Sequence, residues 1–191
     1  MRTGIMGGTF NPIHNAHLII ARYAKEQFNL DRVIFMTSGN PPHKNQLTDK
    51  HIRYHMTKLA AADEFEVSRY EVDREEYSYT LTTLKHLQAT GDELFFIIGE
   101  DSLDTIDQWY KPEEISRLCT LLVFPRNSAN ELQNKIIQAK TWLDGEIFPI
   151  NAPIFGLSST EIRQRIKEGK SVKNMLPDSV LEYITENNLY R

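Results

Sequence analysis

Cysteine is almost missing: Cys119 is the only one in 191 residues. An internal disulfide is therefore excluded, and an oxidising compartment is not implied. Long apolar runs are missing too. The longest, such as Leu94 to Ile98 and Leu121 to Phe124, are far too short to span a bilayer. No secretory leader is expected, because a Gly-rich segment starts at Gly7, where an apolar leader core would lie. There is no basic excess. Lys and Arg number 22 against 26 Asp and Glu, for a net charge of −4 and a pI of about 5.9. That argues against a general nucleic-acid surface, although it allows a local basic pocket for a phosphorylated small molecule. What remains is an ordinary globular composition, with 40% apolar and 25% charged residues. A chain of this length buries roughly 70% of its unfolded surface. The expectation is a soluble, cytoplasmic, single-domain protein over residues 1–191, with no nucleic-acid or membrane partner. Its oligomeric state stays open, a homo-oligomer included.

Short apolar runs alternate with helical patterns. Ile5-Met6 reads as a strand ending in Gly7-Gly8-Thr9-Phe10, and Leu18, Ala21, Ala24 and Phe28 follow at helical spacing. Val33 to Met36 reads as a second strand and Thr37 to Leu47 as a loop. Thr48 or Asp49 can cap a helix with Ile52, Met56 and Leu59 inward. Phe65 to Val72 reads as extended. Ser78 precedes a helix with Leu81, Leu84 and Leu87, closed by Gly91. Leu94 to Ile98 and Leu118 to Phe124 read as strands of a parallel sheet buried on both faces. Asn130 caps a helix, Glu146 to Phe148 is a short strand, and helices near Ser159–Glu168 and Asp178–Glu186 finish the chain. This alternation predicts an α/β, Rossmann-like, doubly wound fold with a mainly parallel sheet and helices on both faces. Ligands of such sheets sit beyond the carboxyl ends of the strands, so the loops there are where chemistry is sought.

The segment Gly7-Gly8-Thr9-Phe10-Asn11-Pro12-Ile13-His14-Asn15-Ala16-His17 carries the most information. Two glycines after a strand allow close backbone approach to a ligand. The helix starting near Asn15 offers free N–H groups to an anion. His14 and His17, three apart, can face the same side and donate to a polyphosphate, and a bound anion favours their charged form. The plainer alternative is a helix cap with two incidental histidines. A metal half-site is disfavoured, because no carboxylate or cysteine sits nearby at ligand spacing.

This segment resembles the HxGH motif of the nucleotidylyltransferase superfamily, and its Gly-Gly-Thr-Phe opening is similar to the nicotinate mononucleotide adenylyltransferases. Asn11 stands where that family usually has Asp, and Ala16 where the superfamily motif has Gly. Other segments extend the resemblance over nearly the whole chain. Pro41-Pro42-His43-Lys44 matches a family string that implies a role for His43 and Lys44 at the mononucleotide phosphate. Ser78-Tyr79-Thr80 opens a helix, and the resemblance implies that this turn holds the nicotinate carboxylate. A helix N-terminus favours such an anion by roughly 0.3–1 kcal/mol. Gly99 and Asp101 match a Gly-x-Asp pattern placed by the nucleotide riboses, and Trp109 matches a residue stacked on the pyridine. Leu157-Ser158-Ser159-Thr160-Glu161-Ile162-Arg163 resembles the second hallmark, SSTxIR, with Ser158 and Ser159 at a helix start and Arg163 on the same face.

The resemblance implies adenylyl transfer from ATP to nicotinate mononucleotide in NAD biosynthesis. It implies catalytic roles for His14, His17 and Arg163, and an ATP site of Gly7, Gly8, Thr9, Phe10, Gly99, Asp101, Ser158 and Ser159 beside them. Thr9 and Asp101 would also touch the mononucleotide, and Mg²⁺ would arrive on ATP, with no protein metal site. Two rivals stand beside this reading. One is another enzyme of the superfamily, such as a pantetheine-phosphate adenylyltransferase or a cytidylyltransferase. The other is a non-catalytic nucleotide-binding module, which the Asn11 and Ala16 departures would favour. Cys119 reads as a small buried hydrophobe, and His51, His55 and His86 have no motif partner.

Overall fold

A computed structural model describes residues 1–42, 47–62 and 64–191. Six strands form one sheet in the order β3-β2-β1-β4-β5-β6. They are β1 (Arg2–Gly8), β2 (Arg32–Thr37), β3 (Glu66–Ser68), β4 (Glu93–Gly99), β5 (Thr120–Phe124) and β6 (Ile147–Pro149). Every neighbouring pair is parallel. The order reverses between β1 and β4, the switch point at which such sheets open a crevice. The helices are α1 (Asn15–Gln27), α2 (Lys50–Ala61), α3 (Thr80–Gln88), α4 (Glu100–Leu103), α5 (Pro112–Leu118), α6 (Ala129–Ala139), α7 (Ser159–Lys167) and α8 (Asp178–Glu186).

The strand pattern builds two cores. Alternate residues of β4 point to opposite faces, so Phe95 and Ile97 join Met6, Phe35 and Leu122 under α1, α2, α7 and α8. Leu94, Phe96 and Ile98 join Ile5, Leu121 and Val123 under α3, α5 and α6. Each fully buried side chain of this size contributes about 1.5–3 kcal/mol. The continuous apolar run of β4 is the consequence of having helices on both sides.

Several boundaries differ from the sequence expectation. The extended stretch after Phe65 ends at Ser68. The chain then turns over residues 70–73, where Asp73 N donates to Arg69 O at 2.9 Å. Leu118 belongs to α5, which Lys111 enters in the left-handed region (φ 55°), so β5 begins only at Thr120. The cap of α6 is Ser128, whose Oγ accepts from Glu131 N at 3.2 Å; Asn130 lies inside the helix. The last strand starts at Ile147 rather than Glu146. Asp49 caps α2, as its position suggested. The buried face of α2, however, is Arg53, Met56, Thr57 and Ala61, with Ile52 and Leu59 only partly covered. Cys119 is buried at the end of α5, and burial pushes its thiol up to about 12. Among the described residues, no helix is long and apolar enough to cross a membrane.

Candidate active site

A cleft of about 800 Å³ opens over the carboxyl ends of β1, β4 and β5. Gly7, Gly8, Thr9, Phe10, His14 and His17 line it from the first motif, and Ser158, Ser159 and Arg163 line it from the second. Gly99, Asp101, Trp109, Ser78, Tyr79 and Thr80 line it as well. Residues from both ends of the chain thus share one cavity. His43 and Lys44 lie outside the described residues.

The glycines work differently from the simple expectation. A Cβ on Gly8 would lie 2.8 Å from the Phe10 ring, and one on Gly7 would lie 3.0 Å from Phe96. On Gly99 it would meet Phe124 at 3.0 Å. The space left by the missing side chains is filled first by the protein's own aromatic rings. Phe10 is buried, in the left-handed region (φ 46°), with its ring edge-on to His17 at 5.1 Å.

His14 is the N-cap of α1, and its ring stacks on His17 at 3.7 Å. The His14 amide donates to His17 Nδ1 at 3.2 Å, which puts the His17 ring proton on Nε2. His14 is 4% exposed. Burial, and secondarily the positive charge of Arg126, push its pKa from 6.5 down to about 4. Without a ligand, then, His14 is neutral at neutral pH, and the cationic form expected for it requires a bound anion.

The second motif locks onto the first. Arg163 Nη1 donates to Asn11 O at 2.7 Å, and Ser159 Oγ donates to Pro12 O at 2.8 Å. Ser158 caps α7 by accepting from Glu161 N at 3.1 Å. Arg165 points away and donates to Ser171 O. Asn15 N donates to Met175 O at 3.0 Å, and Tyr190 Oη donates to Asn11 Oδ1 at 2.7 Å.

On the other side, Tyr79 is the N-cap of α3, and no side chain caps that helix. Ser78 is not the cap. Its Oγ instead accepts from Gly39 N at 3.0 Å and Asn40 N at 3.2 Å. Trp109 is half-buried, edge-on to Phe96, and Tyr79 packs against Tyr110 with centroids 5.1 Å apart.

Four charged groups in or beside the cleft are not marked out by the sequence. Arg126 lines the cleft directly after β5, and its Nε donates to Asp101 Oδ2 at 3.1 Å. Its place beyond a strand's carboxyl end was the available signal. Glu100, fully buried, accepts from Arg126 N at 2.7 Å and lies 2.8 Å from Lys135 Nζ. Burial opposes its charge, but Lys135 and the amides of Arg126 and Asn127 outweigh it and hold its pKa below the usual range. Arg53, 1% exposed, donates to the carbonyls of Thr48, Thr9, Ser38 and Gly39. Glu71, also buried, lines the cleft beside Ser78. A helical Arg and a turn Glu carry no distinguishing mark in sequence.

Comparison with known proteins agrees with this geometry. A family model described as cytidylyltransferase-like matches residues 5–165. A protein named "Probable nicotinate-nucleotide adenylyltransferase" from Clostridium botulinum strain Okra is 45% identical over 98% of both chains. Its namesake from strain Eklund 17B is 43% identical over 100% of this chain and 98% of its own. In fold, the chain is similar to the Plasmodium falciparum nicotinic acid mononucleotide adenylyltransferase solved with NaAD. The TM-score is 0.76 at 19% identity, covering 98% of this chain and 96% of that one. The same protein solved with APC gives a TM-score of 0.75 at 18% identity and the same coverage. The chain belongs to the cytidylyltransferase-like family, in its nicotinate-nucleotide adenylyltransferase branch.

Proposed function

We propose that residues 1–191 act as one nucleotidylyltransferase domain that moves the adenylyl group of ATP onto nicotinate mononucleotide. The products are nicotinate adenine dinucleotide and pyrophosphate. The observation that carries this reading is the meeting of His14, His17 and Arg163 in one cleft, with Arg163 bonded to the loop that precedes the histidines. A phosphate oxygen of the mononucleotide attacks the α-phosphorus of ATP. The new O–P bond forms as the bond to the β-phosphate oxygen breaks, and pyrophosphate leaves with the electron pair. Such transfer depends on positioning and charge stabilisation, so no protein nucleophile is required.

His17 Nε2–H and the His14 imidazole donate to the phosphates. A bound triphosphate favours protonation of His14, so positive charge arrives where negative charge develops. Arg163, Ser158, Ser159 and the start of α7 hold the β- and γ-phosphates, and Arg126 adds a second guanidinium. Mg²⁺ is expected with ATP, where it neutralises triphosphate charge. Among the described residues, no group of three His, Cys, Asp or Glu could cage a metal ion. The exposed Asp101 carboxylate suits an ion carried in on substrate. Asp101 also accepts from ribose hydroxyls once Arg126 releases it. Thr9 serves both substrates.

At the far end, the uncapped start of α3, with Tyr79 and Thr80, receives the pyridine carboxylate. A neutral carboxamide gains less there. Trp109 stacks on the ring, contributing about 0.5–1.5 kcal/mol beyond burial. His43 and Lys44 are proposed at the mononucleotide phosphate on the strength of the motif alone. Pyrophosphate release tests the whole reading, with ATP and nicotinate mononucleotide, its amide form, or phosphopantetheine as acceptor. Release is expected to be fastest with the acid. Release only with phosphopantetheine would overturn the substrate, and ATP binding without release would overturn the activity.

A further inference from the structure

Glu71 is the buried ionisable group of the cleft that the mechanism leaves unused. It is 7% exposed and lies in the turn between β3 and α3. Among the described residues, no Lys or Arg hydrogen-bonds or ion-pairs with it. Its partners are hydroxyls. Thr83, 2% exposed and inside α3, donates to Oε1 at 2.5 Å. The Ser78 and Ser38 hydroxyls act on the carboxyl at longer range, and Oε2 is buried without a close partner.

Ser78 is held in the same region: its oxygen accepts the Gly39 and Asn40 amides, with the Glu71 carboxyl nearby. The backbones are in contact as well, since a Cβ on Gly39 would lie 2.1 Å from Glu71 O. Three segments therefore meet at Glu71: the second turn of α3 bonds its carboxyl through Thr83, the loop after β2 packs on its backbone, and Ser78, before the α3 cap, holds that loop. Thr83 stands three residues beyond Thr80, on the same face. Fixing Thr83 fixes the rotation of α3, and with it the aim of the first-turn amides.

We propose that Glu71 is a positioning residue that sets the angle of the α3 start against the Ser38–Asn40 loop and so determines recognition of the pyridine substituent. This rests on the functional reading above, in which that helix start receives a carboxylate. Burial, opposed by the three hydroxyls, pushes the Glu71 carboxyl above the usual range.

The test is steady-state pyrophosphate release, with KM measured separately for ATP and for each mononucleotide and folding checked by thermal melting. Glu71→Leu is expected to raise KM for nicotinate mononucleotide by about tenfold, the loss of one good hydrogen bond at the subsite. KM for ATP is expected to stay within about twofold, and the preference for acid over amide should shrink by a similar factor. Glu71→Gln, which keeps an acceptor for Thr83 and carries no charge, should recover most of the loss. Should Glu71→Leu fail to fold, the near-isosteric Thr83→Val is expected to raise the same KM selectively. An equal rise in both KM values, no change in either, or a Gln variant as impaired as the Leu variant would overturn the proposal. No release by the wild type with nicotinate mononucleotide would instead overturn the functional reading, and this inference with it.

Discussion

Replacing Arg53 with Met should loosen the floor of the cleft before it touches any substrate contact. The guanidinium is 1% exposed and donates four hydrogen bonds. The distances are 2.8 Å to Thr48 O, 2.8 Å to Thr9 O, 2.7 Å to Ser38 O and 3.0 Å to Gly39 O. Three loops are fastened by one side chain that, among the described residues, hydrogen-bonds to no carboxylate. Burial lowers its pKa, yet a guanidinium starts high enough to stay charged. Each charge-assisted bond contributes about 1.5–3 kcal/mol net. The plain sum overstates the effect, because removing the charge also removes its desolvation cost and the freed carbonyls relax toward water. What remains is buried carbonyls without donors, at about 1–3 kcal/mol for each that cannot reach water, so a loss of about 3–5 kcal/mol is expected here. In a chain of this size it corresponds to a fall in Tm of about 6–20 °C. Arg53→Lys keeps the charge but loses the fork, and should fall between the two. Urea unfolding measures the stability change. A loss below about 1 kcal/mol for Arg53→Met would refute the claim that this residue fastens the three loops.

Other consequences follow from the titrating and tethering groups. Because the His14 pKa is about 4 in the fold and near 6.5 unfolded, the unfolded chain binds the extra proton as pH falls through that window. Stability should drop by about 2–3 kcal/mol from pH 6.5 to pH 4, and His14→Gln, compared by urea unfolding at both ends, should lack that share of the drop. Arg126→Ala should raise the His14 pKa only partway, since burial is the larger cause, and should raise KM for ATP; an NMR titration unchanged by the substitution would contradict the assigned coupling. Tyr190→Phe removes the phenol bond to Asn11 and should cost about 1 kcal/mol by urea unfolding, with a lower kcat and an unchanged KM for the mononucleotide.

The strands were legible because burial on both faces demands continuous apolar runs, and β4 and β5 have them. The start of α1 was legible because glycines, a turn and two histidines stand together. The extent of the strand after Phe65 was misread because Val72 is apolar but fully buried in a turn. The cap at Asn130 was misread, and Ser78 was seen only as the opening of a helix, because a polar residue before a helix has other uses. Ser78 takes amides from a loop 38 and 39 residues away in sequence. Arg53, Glu71 and Tyr190 were invisible for the same reason. Their roles come from carbonyls, hydroxyls and loops that only the fold brings near.

The two departures from the family motif can be weighed in the same terms. Asn11 gives its side-chain oxygen to the Tyr190 phenol and its backbone carbonyl to Arg163. An aspartate could accept the phenol equally well, so the bond does not require asparagine. The phenol itself stays protonated, since burial pushes it up to about 12 against the pull of the Thr48 hydroxyl and of Arg163 and Arg53. What asparagine changes is charge: it removes a carboxylate from beside Arg163, where an incoming triphosphate needs positive potential. Ala16 is 3% exposed and lines a small cavity that shares His14, His17, Phe124 and Arg126 with the main cleft. Asn11, which keeps both tethers, does not argue for a module that has lost its chemistry. Asn11→Asp, which keeps the tether and restores the charge, should raise KM for ATP, and a lower KM would refute this account of position 11.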